Sequence, residues 1–464
     1  MRRLIFVLLF AFPANSIYSQ GMPIVRDYEI EAAFYPAEAY MNGYAKIEFD
    51  DSASRLDSIV FYLHGELWVD SIQSQNYTDD FIQKRIYYPY NYSLIATRIS
   101  MANPPGSEMK VYYSGFFNPS KAAAISNYMR IEEDGVFLRS FGYSLWFPVF
   151  LEEFKGSHPV SFSSVKLKTP EAFRSIFIGH KKADYIEGGL RITEWEAPAT
   201  DIFDAQCTAG KFEFINNGDF YIYHKNTPES RKQAGAILEF TKTIKGIYQD
   251  LYRKNEQLDE IHVIQMPEYG DISSGNVIGI SSDAWDDFSS GDHSGRTLAH
   301  EIVHPFVKVK VEMSDPLFML AIEGFPSYFH LPALREILGE EWYDEYMKGV
   351  ETAYLNKKEI GKDRRGRPLP EEKPIDKLVF EEIGAYKDRF ILNDRVKLFF
   401  NYLCEKMGWD KFQKFTRELF STKEISFDKF ISIILKYLPR EKANLEIWLS
   451  SNDYLAKFHL DKIR

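Results

Sequence analysis

Apolar and polar positions alternate along much of the stretch from Tyr28 to Pro198. The runs Ile59-Val60-Phe61-Tyr62-Leu63, Lys110-Val111-Tyr112-Tyr113 and Val165-Lys166-Leu167-Lys168-Thr169 lie between Gly, Pro, Asn and Ser clusters. They read as strands, because a period of two turns one side of a pleated chain toward a core. Several such runs in series predict a β-sandwich-like domain. Phe212 to Lys225 predicts a hairpin, with Phe212, Phe214, Phe220 and Ile222 flanking the turn residues Asn216-Asn217-Gly218. The period changes after Pro228. Ala234, Ile237, Leu238, Ile244, Tyr248 and Leu251 recur at helical spacing. A strand at Ile261-His262-Val263-Ile264 and an apolar stretch from Asn276 to Ile280 follow. Helical patterns then cover 317–329, 340–354, 394–407, 409–420 and 427–438, and the basic, proline-bearing stretch 357–374 reads as a surface loop. The change of texture near Pro198 to Phe203 divides the chain. The predicted class is multi-domain α+β: an N-terminal β-sandwich-like domain over 21–200, then an α/β domain over 201–464 whose C-terminal half is mostly helical.

Composition narrows the function. Hydrophobic residues make up 45% of the 464 positions and aromatics 16%, enough apolar surface for more than one core and too much for a disordered chain. A net charge of -11 weighs against a nucleic-acid partner. The two cysteines, Cys207 and Cys404, cannot build a disulfide framework or a Cys-rich metal site, and whether they pair stays open. At the N-terminus, Arg2 and Arg3 precede the apolar run Leu4 to Phe12 and the small, polar stretch Pro13 to Gln20. This is the layout of a signal peptide over residues 1–20. The run is too short to span a bilayer, and no Cys follows it to carry a lipid. The expectation is an exported protein, periplasmic or secreted, without stable membrane insertion.

The chemistry concentrates in His300-Glu301-Ile302-Val303-His304. Histidines at i and i+4 share one helix face, so both imidazoles reach one ion, and neutral imidazole suits zinc. Glu301, beside the first ligand, is placed to act as general base on a water. A catalytic zinc needs a third protein ligand and an open position. Glu323, after eighteen intervening residues and inside another helical pattern, is the candidate.

His-Glu-x-x-His, eighteen residues, then Glu resembles the gluzincin metallopeptidases of the aminopeptidase N family. Glu323-Gly324-Phe325-x-Ser327-Tyr328 is similar to that family's third-ligand helix, and Phe147-Pro148-Val149-Phe150 falls where the family carries a Phe-Pro-Cys-Phe type segment. Tyr28 to Glu48 resembles its opening strands. The large C-terminal helical domain of longer members has no counterpart, so the chain looks like a short form. The resemblance implies a thermolysin-like catalytic domain and one Zn²⁺ ion held by His300, His304 and Glu323. It implies peptide or protein substrates hydrolysed by a zinc-activated water with Glu301 as general base, in an aminopeptidase-like exopeptidase. A tyrosine that donates to the oxyanion is also implied, some sixty-odd residues after the third ligand. Tyr386 stands 63 residues after Glu323, while aligning the following helix places Asn393 there instead.

The family binds the substrate's free amine with a Glu on the strand edge upstream of the zinc helix. Here that edge reads Ser273-Ser274-Gly275-Asn276-Val277-Ile278-Gly279-Ile280, with Asn276 about where the Glu belongs. An amide accepts a hydrogen bond from an ammonium but does not balance its charge. Gly275, Asn276 and Gly279 remain the expected substrate-binding positions, with strand-like backbone from Gly275 to Ile280 able to pair with an extended peptide. Two other readings stay open: a zinc endopeptidase or specialised peptidase that needs no free N-terminus, and a non-catalytic peptide-binding protein. Pro305 directly after His304 predicts that the zinc helix ends or kinks there.

Overall fold

The structure is a computed structural model. It describes residues 23–51, 53, 56, 58–74, 81–88, 91–101, 106–117, 129–138, 145–150, 159–252, 260–266, 271–288, 294–312, 314–360, 374–378 and 391–451. The expected signal peptide lies outside them, as do Tyr386 and most of the basic loop. Among the described residues no helix is long and apolar enough to cross a membrane.

The first half is built of sheets. Seven strands run in the order His180–Glu187, Leu190–Thr200, Val160–Pro170, Val25–Tyr35, Tyr40–Phe49, Glu108–Phe116, Leu67–Ser74. Ile59–His64, Asn91–Met101 and Phe81–Tyr88 form a three-stranded sheet, and Arg174–Phe177, Cys207–Gly210, Gly135–Leu138 and Met129–Glu132 a four-stranded one. The alternation seen in the sequence is the burial pattern. Ile30, Ala32 and Phe34 point inward from the first strand, and Val165 and Leu167 from its parallel neighbour. Aromatic rings fill the space between: Tyr28 packs edge-on to Phe147 at 5.3 Å and stacks on Phe162 at 5.5 Å, and Phe61 meets Phe150 at 5.7 Å. Such contacts add about 0.5–1.5 kcal/mol each beyond the area buried. Cys207–Gly210 pairs with Gly135–Leu138 and Arg174–Phe177, so strand pairing of the first half reaches Gly210. Cys207 and Cys404 are separate buried thiols.

His64 is buried in this half, its Nδ1 accepting the Glu66 N–H at 3.2 Å and its ring against Phe117. Burial, aided by Arg85, pushes its pKa down from 6.5 to about 4. The unfolded chain therefore takes up this proton first as pH falls. The side chain's contribution is whole above about pH 6.5 and is lost progressively toward pH 4, by roughly 2–3 kcal/mol at pH 4.5. Urea midpoints at pH 7 and 4.5 are expected to show a smaller acid loss in His64→Gln than in the wild type. An equal loss in the two proteins refutes this assignment.

The second half opens with the predicted hairpin, Phe212–Asn217 and Phe220–Lys225. Its turn is Gly218-Asp219, with Asn216 and Asn217 paired in the strand rather than in the turn, because Gly218 supplies the positive φ of 63° that the tight turn needs. Five strands follow the order Phe212–Asn217, Phe220–Lys225, Ile261–Gln265, Val277–Ile280, Ile272–Ser274, with the central pairs parallel. Helices pack on this sheet and then on one another: Pro228–Tyr252, Ser294–Val307, a broken helix from Leu317 to Phe329, Leu331–Leu338, Glu340–Ile360, Val396–Met407, Trp409–Ser421, Phe427–Tyr437 and Lys442–Ser450. The architecture is thus mixed sheets followed by an α/β unit with a helical C-terminal half.

Candidate metal centre

The helix Ser294–Val307 buries Leu298, Ala299, Ile302, Val303 and Phe306 on one face. Arg296, His300 and His304, spaced by four, therefore line another. The helix does not end at His304. The helix continues to Val307. Proline inside a helix costs about 3 kcal/mol, but Phe306 and Val307 are buried, at roughly 1.5–3 kcal/mol each, and Phe306 packs on Tyr248 at 5.4 Å. Packing outweighs the local preference.

The third candidate stands on the broken helix. Leu317–Met319 is α-helical, Leu320–Gly324 is a π turn, and Phe325–Phe329 is α-helical again. The Phe325 N–H donates five residues back to the Leu320 carbonyl. Pro326 follows at once. Its missing N–H and bulky ring are tolerated where the ladder is already widened, which accounts for a proline so close to Glu323. Gly324 allows a close approach: a Cβ there would lie 2.9 Å from Leu320 and 3.3 Å from Val396. Two tyrosines one turn apart on Pro228–Tyr252 fix both helices. The Tyr248 hydroxyl donates to the Ala299 carbonyl at 2.8 Å, and the Tyr252 hydroxyl to the Phe329 carbonyl.

These elements bring His300, His304 and Glu323 together, with one ligand atom of each lying within 4.8 Å of the others. The two Nε2 atoms are 3.3 Å apart. Tetrahedral bonds of 2.0–2.1 Å place neighbouring donors about 3.3–3.4 Å apart, so the pair fits zinc without rearrangement. Glu323 Oε2 lies 3.8 Å from His300 Nε2. Glu301 is buried, its Oε1 4.0 Å from His300 Nε2 and its Oε2 3.8 Å from His304 Nε2. Burial disfavours charge on His300, but the Glu323 and Glu301 carboxylates outweigh it and raise its pKa. Burial and the His300 ring push His304 down to about 3, so its imidazole is held neutral, as a ligand must be. The donor set, two imidazoles and a carboxylate, suits a zinc ion with an open position.

His330 lies outside the sequence motif, yet its ring packs edge-on to His300 at 5.4 Å. Its Nδ1 is 2.8 Å from the Pro326 carbonyl and burial holds its pKa well below the usual value, so Nδ1–H is the donor. The signal was present: His330 follows Glu323 by seven residues, two helical turns. Asn393, on the π turn Ile391–Arg395, accepts the Ser327 hydroxyl at 3.0 Å, within the packing of the Glu323 helix.

The expected substrate edge has a different shape. Gly275 and Asn276 form a turn, Gly275 at φ 56°, between the strands Ile272–Ser274 and Val277–Ile280. Val277–Ile280 is paired on both sides, so among the described residues the edge here is Ile272–Ser274 rather than Gly275–Ile280. Gly279 packs against Met266, where a Cβ would come within 2.8 Å. Asn276 spends its amide on the first half: Oδ1 accepts the Gly179 N–H at 2.8 Å, and Nδ2 donates to the Gly179 carbonyl at 2.9 Å. Beside it, Lys308 reaches Asp204 at 2.7 Å and Asp201 at 3.3 Å, tying the end of the Ser294–Val307 helix to the same junction.

Comparison with known proteins supports the fold. The M1 zinc metallopeptidase from Deinococcus radiodurans superposes with a TM-score of 0.65 at 15% identity, over 94% of this chain and 95% of that one. A mutant of it bound to a Tyr-Ser-Ala substrate gives 0.64 at 14%, over 93% and 95%. A two-domain M1 zinc metallopeptidase mutant bound to L-arginine gives 0.65 at 15%, over 93% and 95%. No family model matches the chain. No curated protein matches it.

Proposed function

We propose that this chain is a zinc-dependent peptidase acting on peptides or proteins after export. The observation that carries the reading is the convergence of His300, His304 and Glu323 beside the buried carboxylate of Glu301. Bound zinc would supply Lewis acidity toward the scissile carbonyl. Glu301 would take a proton from the attacking water and pass it to the leaving amine. The likeness to M1 zinc metallopeptidases, one of them bound to a peptide substrate, supports a peptide as the ligand. The apolar run behind Arg2 and Arg3 supports export.

Aminopeptidase-like action needs a group that holds the substrate's α-ammonium. Neither Gly275 nor Asn276 carries a carboxylate, and both polar atoms of the Asn276 amide are engaged by Gly179. This favours the second reading, cleavage that does not depend on a free N-terminus. The test is mass spectrometry of a mixed peptide library, free and N-acetylated, incubated with the zinc-loaded protein and with Glu301→Gln as control. Equal cleavage of free and acetylated peptides is expected. Stepwise loss from free N-termini alone would establish the aminopeptidase reading and discard this one.

A further inference from the structure

Arg296 lies one turn before His300, on the same helix face, where side chains at i and i+4 are about 5–6 Å apart. Its guanidinium carbon sits 5.2 Å from the Tyr346 ring centre. Lys397, in the first turn of Val396–Met407, places Nζ 5.8 Å from the same ring. Tyr346 is backed by Trp342, stacked at 5.3 Å and 11°. Three helices thus bring two cations to one aromatic platform beside the candidate metal centre. Both charges act on His330, and that of Lys397 on His300 as well.

Other half-buried cations have different partners: Arg174, seated on Phe214 at 4.9 Å, donates to the Phe212 carbonyl. Lys46, Lys168 and Arg130 each have a carboxylate. Arg335 stacks on Tyr343 and Trp409 but also holds Glu340 at 2.6 Å. Arg296 and Lys397 have the ring and, among the described residues, no carboxylate within ion-pair distance. A ring face offsets only part of the cost of partly desolvating a cation, and two like charges sharing one ring repel each other. A carboxylate arriving with the substrate removes both penalties, and a guanidinium with an ammonium suits its two oxygens.

We infer that Arg296 and Lys397, seated on Tyr346 next to His300, form a subsite for a substrate carboxylate. It rests on the peptidase reading and narrows the substrate class to peptides that carry a carboxylate near the cleaved bond. That carboxylate is either the C-terminus of a short peptide or an Asp or Glu side chain.

The experiment uses N-acetylated peptides in matched pairs, free acid against C-terminal amide and internal Glu against Gln, with the zinc-loaded protein. The kcat/KM ratio of acid to neutral partner is expected to be about 10- to 100-fold in one arm, the discrimination given by a charge-assisted hydrogen bond. In Arg296→Met and Lys397→Met it falls toward one. The arm that discriminates identifies the source. A ratio near one in both arms for the wild type, or one unchanged in the double variant, overturns the subsite. Should no peptide be cut in a Glu301-dependent way, the peptidase reading fails. Calorimetric affinities of the same pairs for Glu301→Gln then decide the subsite separately: equal affinities overturn it, and an acid preference lost in the Arg296→Met background supports it.

Discussion

Replacing Glu301 by Gln is expected to lower kcat on any cleaved peptide about 1,000-fold while leaving the zinc content at one ion per chain. The carboxylate is buried against both candidate ligand imidazoles, 4.0 Å from His300 and 3.8 Å from His304. Glutamine keeps its size and shape but cannot take up a proton at that position. A positioned general base contributes roughly 10²–10⁴-fold to rate, so the loss lies inside that range, with residual turnover from the metal and from binding. Steady-state rates on a quenched peptide, with metal content by atomic absorption, separate the two roles. A variant within tenfold of the wild type would remove Glu301 from the chemistry. A variant that loses zinc would make it a ligand's support instead.

The second large effect is on the metal. His304→Ala leaves His300 and Glu323, two donors where a catalytic zinc needs three. The loss of affinity is expected to be at least about 100-fold, more than the 10–100-fold that losing a ligand's outer hydrogen bond costs. Zinc at about 1,000 times its Kd adds about 4 kcal/mol to the wild type through mass action. The melting temperature of the wild type therefore rises with zinc and falls with a chelator, whereas His304→Ala shows about a third of that shift or less at the same concentrations. Equal zinc-induced shifts in the two proteins would show that His304 is not a ligand.

The elements most legible in the sequence are those set by local repetition. Ala234, Ile237, Leu238, Ile244, Tyr248 and Leu251 face the core of the long helix as their spacing predicts. His300 and His304 are brought together because four residues make about one turn of a helix, and Glu323 joins them although it lies on a separate, broken helix. What local pattern did not disclose depends on partners far away in the chain. Pro305 reads as a stop until the burial of Phe306 and Val307 is counted. The π turn before Pro326 leaves no mark in the local spacing, and its Gly324 packs against Val396. Gly275–Ile280 looked like one strand, but its first two residues form a turn whose amide is held by Gly179, 97 residues earlier. The cationic pair was hidden for the same reason. Arg296 has helical register with His300, but Lys397 and Tyr346 reach it only through the packing of three helices.

The Asn276–Gly179 junction makes the two halves mechanically one. Both of its hydrogen bonds end on backbone atoms of Gly179, whose φ is 85° and whose missing side chain leaves room for the Glu196 carbonyl, 2.1 Å from where a Cβ would stand. A single methyl group at residue 179 would push the main chain that Asn276 grips. Because Asn276 is the corner of the Ile272–Ser274 edge, the displacement would travel along that strand. The sheet domain thus acts as a lever arm on that edge without contributing a side chain to this joint.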